Sequence, residues 1–256
     1  MPSDALMYMN WQKIIRPDKI QVNSNPTYGK FVCEPLERGF GITIGNALRR
    51  VILSSLHGAA ITSVKFEGVK HEFSVIPGVL EDVSEILLNL KEVRLKVDDP
   101  KPKTVRIEAS EAGEVTAGHI VCDDGRCTVL NPKQHIATLS EKARLQMTMT
   151  VRAGKGYSLA EANKDETAPV GTIPIDAVYA PIKRVNYVVG NARVGQRTDY
   201  DKLTMEVWTD GSILPEDAIA YAAKILKEQM SIFINFDEGR EPTPDRKLDT
   251  RDKPSF

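Results

Sequence analysis

The sequence predicts an α+β protein in which antiparallel sheet dominates and three helices stand apart. Three observations carry that reading. Most structured stretches alternate with period two, only three segments carry a period of three to four, and no regular succession of strand-helix units runs through the chain. The clearest strand is Ala143 to Val151, where every second residue is apolar; Lys202 to Trp208 repeats it with Leu203, Met205 and Val207 on one face. Shorter runs of the same kind lie at Tyr28 to Glu34, Ile61 to Phe66, Arg94 to Val97, Thr104 to Ala109 and Arg184 to Val189. Half-buried alternation of this kind is the mark of antiparallel sheet.

The first helix is expected from about Gly45 to Leu56, with Leu48, Val51, Ile52 and Ser55 on one stripe, Thr43 as a cap and His57-Gly58 as the stop. The second is expected over about Val79 to Lys91, where Val79, Leu80, Val83, Ile86, Leu87 and Leu90 recur at intervals of three and four. The third begins at Pro215, a favoured first position, with Glu216 and Asp217 at its positive end, and runs to about Phe236. Its apolar residues form more than one stripe. Ile219, Ala222, Leu226, Met230 and Phe233 make one surface, and Ala218, Ala223, Ile225, Ile232 and Ile234 add another. Two readings stay open: a helix wholly buried in its own domain, or one whose second face meets a copy of itself across a twofold axis. The loop Ala160 to Pro169 and the charged, proline-containing tail 237–256 are expected to lack regular structure.

Composition narrows function. The chain has 256 residues, 41% hydrophobic and 27% charged, enough for one large or two modest domains. Thirty-four basic against thirty-five acidic residues leave a net charge of -1, so no global field attracts a polyanion. No apolar run reaches the roughly 20 residues of a membrane span, and no secretory pattern opens the chain, so a cytoplasmic location without membrane contact is expected. Three cysteines, Cys33, Cys122 and Cys127, point to reduced thiols rather than a disulfide framework.

Motifs of catalysis are weak. Gly39, Gly41 and Gly45 superficially suggest a dinucleotide fingerprint, but the third glycine falls one residue late and no parallel strand precedes it. Gly154-Lys155-Gly156 lacks the hydroxyl of a phosphate loop. His119, Cys122, Cys127 and His135 are of zinc-binding type, yet an offset of three on a strand would send His119 and Cys122 to opposite faces. Asp123-Asp124-Gly125-Arg126 reads instead as the turn of a hairpin with buried thiols. None of His57, His71, His119 and His135 stands in a nucleophile context, and no acidic cluster suits two-metal chemistry. No catalytic residue, metal, cofactor or small-molecule substrate is expected. Arg50 and Leu53 share a helix face away from Leu48 and Ile52, a pairing suited to a protein interface.

The run Glu34-Pro35-Leu36-Glu37-Arg38-Gly39-Phe40-Gly41-Ile42-Thr43-Ile44-Gly45-Asn46-Ala47-Leu48-Arg49-Arg50-Val51-Ile52-Leu53-Ser54-Ser55 closely resembles the bacterial RNA polymerase alpha subunit family. The resemblance extends through Val83 to Lys91, Arg193 to Leu203 and Gly211 to Ile219, and covers about Asp18 to Phe236. It implies a discontinuous dimerisation domain of antiparallel sheet plus two helices, 1–57 with 179–236, and a mostly β domain, 58–178, inserted between its halves. It further implies a homodimeric, non-catalytic scaffold of a bacterial, nucleoid-associated enzyme. Phe40, Ile44, Leu48, Ile219, Leu226, Met230 and Phe233 would serve the dimer. Arg50 and Leu53 would meet the beta subunit, and Lys91 with Ile175, Asp176 and Ala177 would face the larger catalytic subunits, beta prime among them. Promoter DNA and activators would be reached only through a C-terminal domain beyond the linker 237–256, a domain this sequence does not include.

Overall fold

The computed structural model describes residues 14, 15, 17 and 20–234, and its class is α+β with antiparallel sheets and few helices. The tail 237–256 and the expected helix end at Phe236 lie outside the described residues.

A four-stranded antiparallel sheet is ordered β1 (Ile20–Asn25), β2 (Tyr28–Leu36), β15 (Arg197–Thr209) and β14 (Ile182–Val194). Its strands therefore come from both ends of the chain. Helix α1 (Phe40–Ser55) and helix α4 (Pro215–Ser231) pack on it and on each other. Phe31, Leu36, Leu48, Ile52, Leu203, Met205, Val207, Ala218 and Ala222 are buried together there.

Between β2 and β14 the chain builds a second sheet, from β3 (His57–Phe66), β4 (Leu95–Val97), β5 (Lys103–Ala109), β7 (Val121–Cys122), β8 (Cys127–Val129), β10 (Leu145–Lys155) and β12 (Thr172–Pro174). Short ribbons join β6 (Gly113–Thr116) to β9 (His135–Leu139) and β11 (Tyr157–Ser158) to β13 (Ala177–Val178). A 3₁₀ turn, Ala117–His119, and two helices, α2 (Val83–Lys91) and α3 (Ala160–Asn163), complete it. Its separate core includes Phe66, Ile86, Leu90, Leu95, Ile107, Ile136, Leu145 and Met149.

The strand path β7-β5-β10-β3-β4-β8 places β7 and β8 at opposite ends, although only Asp123 to Arg126 separate them in sequence. Laid flat, six strands would span about 24 Å. Five residues reach at most about 18 Å. The sheet must therefore curl until its two edges meet. The expected hairpin is corrected accordingly: Cys122 to Gly125 do turn, with the Gly125 N–H donating to the Cys122 carbonyl, but β7 pairs with β5 and β8 with β4.

Carboxylates take up the orphan N–H groups at the starts of α1 and α2. Asp82 and Glu85 form a reciprocal capping box, so α2 starts at Val83 and not at Val79, which makes a bridge with Leu139. Leu80 consequently lies 79% exposed, off the Val83-Ile86-Leu90 core stripe. Helix α1 starts five residues before the expected Gly45. Its cap is Gly39, at φ +90°, and the orphan N–H groups of Gly39 and Gly41 donate to the Asp201 carboxylate at 2.9 and 3.0 Å. Thr43 lies inside the helix, its hydroxyl donating to the Gly39 carbonyl. The loop at Ala160 also folds further than expected, into α3, where buried Asn163 donates to the Ile175 carbonyl.

Candidate docking surfaces

Gly41, Gly45, Leu48 and Ile52 form the buried stripe of α1. A side chain at Gly45 would stand 2.7 Å from the Tyr187 ring and 2.9 Å from Leu203, so the two glycines let the helix sit directly on β14 and β15. Seating that stripe turns Arg50 and Leu53 outward; both are exposed. It also turns Phe40 partly outward, 44% exposed, and leaves Ile44 packed against the core edge.

Leu48 is buried in the chain's own core beneath α1. On α4 only Pro215, Ala218 and Ala222 are buried, a stripe of small residues that brings the helix close to the sheet. Ile219 and Leu226 pack at its margin. Tyr221, Met230, Ile232, Phe233 and Ile234 are exposed, Phe233 by 79%. Helix α4 is thus not wholly buried, and at and just past its C-terminal end it is followed by a run of large apolar side chains that the other described residues leave exposed.

Lys91 ends α2, where its Nζ lies 3.0 Å from Asp176 Oδ2. Asp176 Oδ1 accepts the Ala160 N–H at 2.8 Å, and Tyr157 lies close to the same carboxylate. The Lys91 ammonium, first, and these neighbours hold Asp176 below the usual carboxylate range. Ile175 and Ala177 alternate to the other face and are buried, so of that expected trio only the Asp176 side chain reaches the surface.

The fold brings the two expected patches near each other. The Ser54 carbonyl, one residue past Leu53, lies 3.9 Å from the position a side chain at Gly156 would take. Gly156 adjoins Tyr157, which lies near the Asp176–Lys91 pair. Tyr157 and Leu159, each 58% exposed, and Val178, 43% exposed, add apolar surface beside this line. Sequence reasoning missed them because the segment reads locally as a turn and a polar loop.

The four zinc-type residues are not assembled. His119 sits in the 3₁₀ turn, tied to Thr116, while His135 bridges two carboxylates, Glu81 and Glu114, at 2.9 Å each. Among the described residues no group of three or more His, Cys, Asp and Glu side chains is arranged to hold a metal.

A sequence model of the RNA polymerase Rpb3/RpoA insert domain matches residues 64–180. The chain is 71% identical over 240 residues to the DNA-directed RNA polymerase subunit alpha of Desulfosudis oleivorans, spanning 93% of this chain and 71% of that protein. The chain belongs to the RNA polymerase alpha subunit family. Identity to the corresponding subunits of Desulforapulum autotrophicum and Geobacter metallireducens is 65% over 242 residues and 61% over 246. These cover 94% and 95% of this chain, and 71% and 72% of those proteins. Membership makes the chain a component of a DNA-directed RNA polymerase, with a role in transcription and in assembly with other polymerase subunits. Among the described residues no helix is long and apolar enough to cross a membrane.

The His135 bridge gives the β6–β9 ribbon a pH signature. The Glu81 carboxylate, first, and Glu114 raise the His135 pKa above its ordinary value. Burial pushes Glu81 up, but donors from Thr138 and His135 outweigh it and hold Glu81 low. The His135 contribution is therefore complete below its unfolded pKa of about 6.5 and fades as pH rises through the raised folded value. The Glu81 contribution is complete above about 4.3 and fades as pH falls through its lowered value. The thermal midpoint should peak in the mildly acidic window between them, and His135→Ala should flatten the alkaline limb. An unchanged limb in melts across that range would remove His135 from the account.

Proposed function

We propose that this chain is a homodimeric scaffold on which bacterial RNA polymerase assembles, its outward faces taking the beta and beta prime subunits. The observation that carries the reading is the apolar segment at and just past the end of α4, where Met230, Ile232, Phe233 and Ile234 are exposed among the described residues while α1 and α4 are already seated on their sheet. A twofold contact needs one self-complementary patch, and each apolar residue in it is buried twice. Phe40, Ile44, Ile219 and Leu226 flank that patch in the proposal, with Leu48 supporting it from beneath.

Arg50 and Leu53 are the proposed beta-facing pair, and Lys91 with Asp176 and neighbouring Tyr157 the proposed contact to a large catalytic subunit. An exposed arginine beside an exposed leucine, and an exposed tyrosine, are the side chains that concentrate interface energy. Because two protomers present every surface twice, one can engage beta while its twin engages beta prime. In this reading the chain lends no catalytic residue and holds no cofactor, and it works in the bacterial cytoplasm, at the nucleoid.

Arg50 is exposed and no salt bridge holds it among the described residues, so Arg50→Ala should leave the fold and the dimer intact. Its capture of purified beta subunit should fall at least about tenfold, the scale of a truncated interface anchor. Unchanged capture at equal dimer mass would sink the role given to this face.

A further inference from the structure

The closure of the curled second sheet holds two thiols at its seam. Cys122 ends β7 and Cys127 begins β8, the strands at opposite ends of the path, and both side chains pack against the same buried core. The Gly125 N–H to Cys122 carbonyl hydrogen bond folds the intervening turn back on itself. The Cys122 thiol donates to Asp124 Oδ1 at 3.0 Å, and the same carboxylate is paired with Lys103 at 2.7 Å. Lys103 also reaches Asp99 at 3.2 Å, and Asp99 pairs with Arg126 at 3.2 Å. The turn is thus anchored at both ends by ion pairs, with one cysteine at each of its feet and both packed on the same core.

We infer that Cys122 and Cys127 are a redox-active pair that closes to a disulfide across the seam of this sheet when the protein meets a low-molecular-weight disulfide. The chemistry has a defined order. Burial, first, and the neighbouring Cys122 push the Cys127 thiol up to about 11, so it stays protonated while Cys122 reacts. The Cys122 thiolate attacks one sulfur of the reagent, whose S–S bond breaks, and the departing thiolate takes up the proton Cys122 gave up. Cys127 then loses its proton and attacks the Cys122 sulfur in the mixed disulfide. The second reagent thiol leaves with that proton. Two protein thiols are oxidised to one disulfide and one reagent disulfide is reduced to two thiols. Cys33 takes no part, because it lies on β2 in the other sheet.

The test uses the folded chain with oxidised glutathione, followed by thiol counting after denaturation and peptide mapping. The free thiols should fall from three to one, the survivor being Cys33, with one peptide pair joined between Cys122 and Cys127. Cys127→Ser should stop at a stable glutathione adduct on Cys122, while Cys122→Ser should remain largely unmodified. Three thiols remaining under conditions that modify Cys122 in Cys127→Ser would overturn the inference, as would a link that joins two chains or includes Cys33. Equal adduct formation on both single variants would overturn the order of attack, and with it the pair as described.

Discussion

Gly58→Ala is expected to destabilise the protein by about 3 kcal/mol, the upper part of the range for forcing atoms into a packed interior. The position is where the chain leaves the four-stranded sheet, and it faces the point where the chain returns. A side-chain carbon at Gly58 would lie 1.9 Å from the Tyr179 carbonyl oxygen, a backbone atom that cannot rotate away. Tyr179 is fixed in turn: its N–H donates to the Gly156 carbonyl, and its ring lies across Gly154, where an added carbon would come within 2.8 Å. Glycines on two strands thus admit one buried tyrosine and its backbone, and the chain's exit and return are clasped there. Loss of that clasp should lower the thermal midpoint by roughly 6 to 12 °C for a protein of this size. Gly68→Ala is the control, since an added carbon there meets nothing within 4 Å although its φ of +78° carries some strain. If Gly58→Ala melts no lower than Gly68→Ala, the close approach at Tyr179 does not hold the two halves together.

Gly58 also shows which information the sequence carries and which it does not. Read locally, His57-Gly58 after an apolar helix is a stop signal. In the structure α1 has already ended at Ser55, and Gly58 lies in β3, where a side chain would meet a carbonyl more than a hundred residues away. The same limit applies to Asp201, whose carboxylate caps α1 across 160 residues of sequence. Periodicity found the Leu48-Ile52 half of that helix's stripe but not Gly41 and Gly45, because a residue chosen for absence of side chain leaves no hydrophobic mark. The Asp-Gly turn after Cys122 was legible as a turn, whereas the divergence of its flanking strands depends on curvature summed over six strands. The proposed interface residues were legible only by surface. The second apolar stripe of α4 was visible as excess hydrophobicity, yet Leu48 could be assigned to core or interface only once the helix had a seat. Tyr157 needed the fold to bring α1, β11 and Asp176 together.

Phe233→Asp should convert a dimer to monomers with little effect on the fold of either one. Phe233 is 79% exposed in the single chain, so the substitution removes no intramolecular core contact, and surface changes of this kind stay within about 0.5 kcal/mol. Across a twofold axis the balance differs. Burying one phenylalanine contributes about 1.5 to 3 kcal/mol, and symmetry places the change in both protomers, giving roughly 3 to 6 kcal/mol before the aspartates are desolvated. That corresponds to a weakening of about a hundredfold to ten-thousandfold. Sedimentation equilibrium should then report a mass near 28.4 kDa at concentrations where the unaltered chain sediments near twice that value. Helical circular dichroism should match in the two proteins, which separates lost association from lost folding. Because each protomer of a dimer presents Arg50 once, the monomeric variant should also bring only one beta-facing surface into any complex, whereas Arg50→Ala keeps two chains together and loses both such surfaces. A Phe233→Asp chain that still sediments as a dimer would move the twofold contact away from the end of α4, even if the unaltered protein is dimeric.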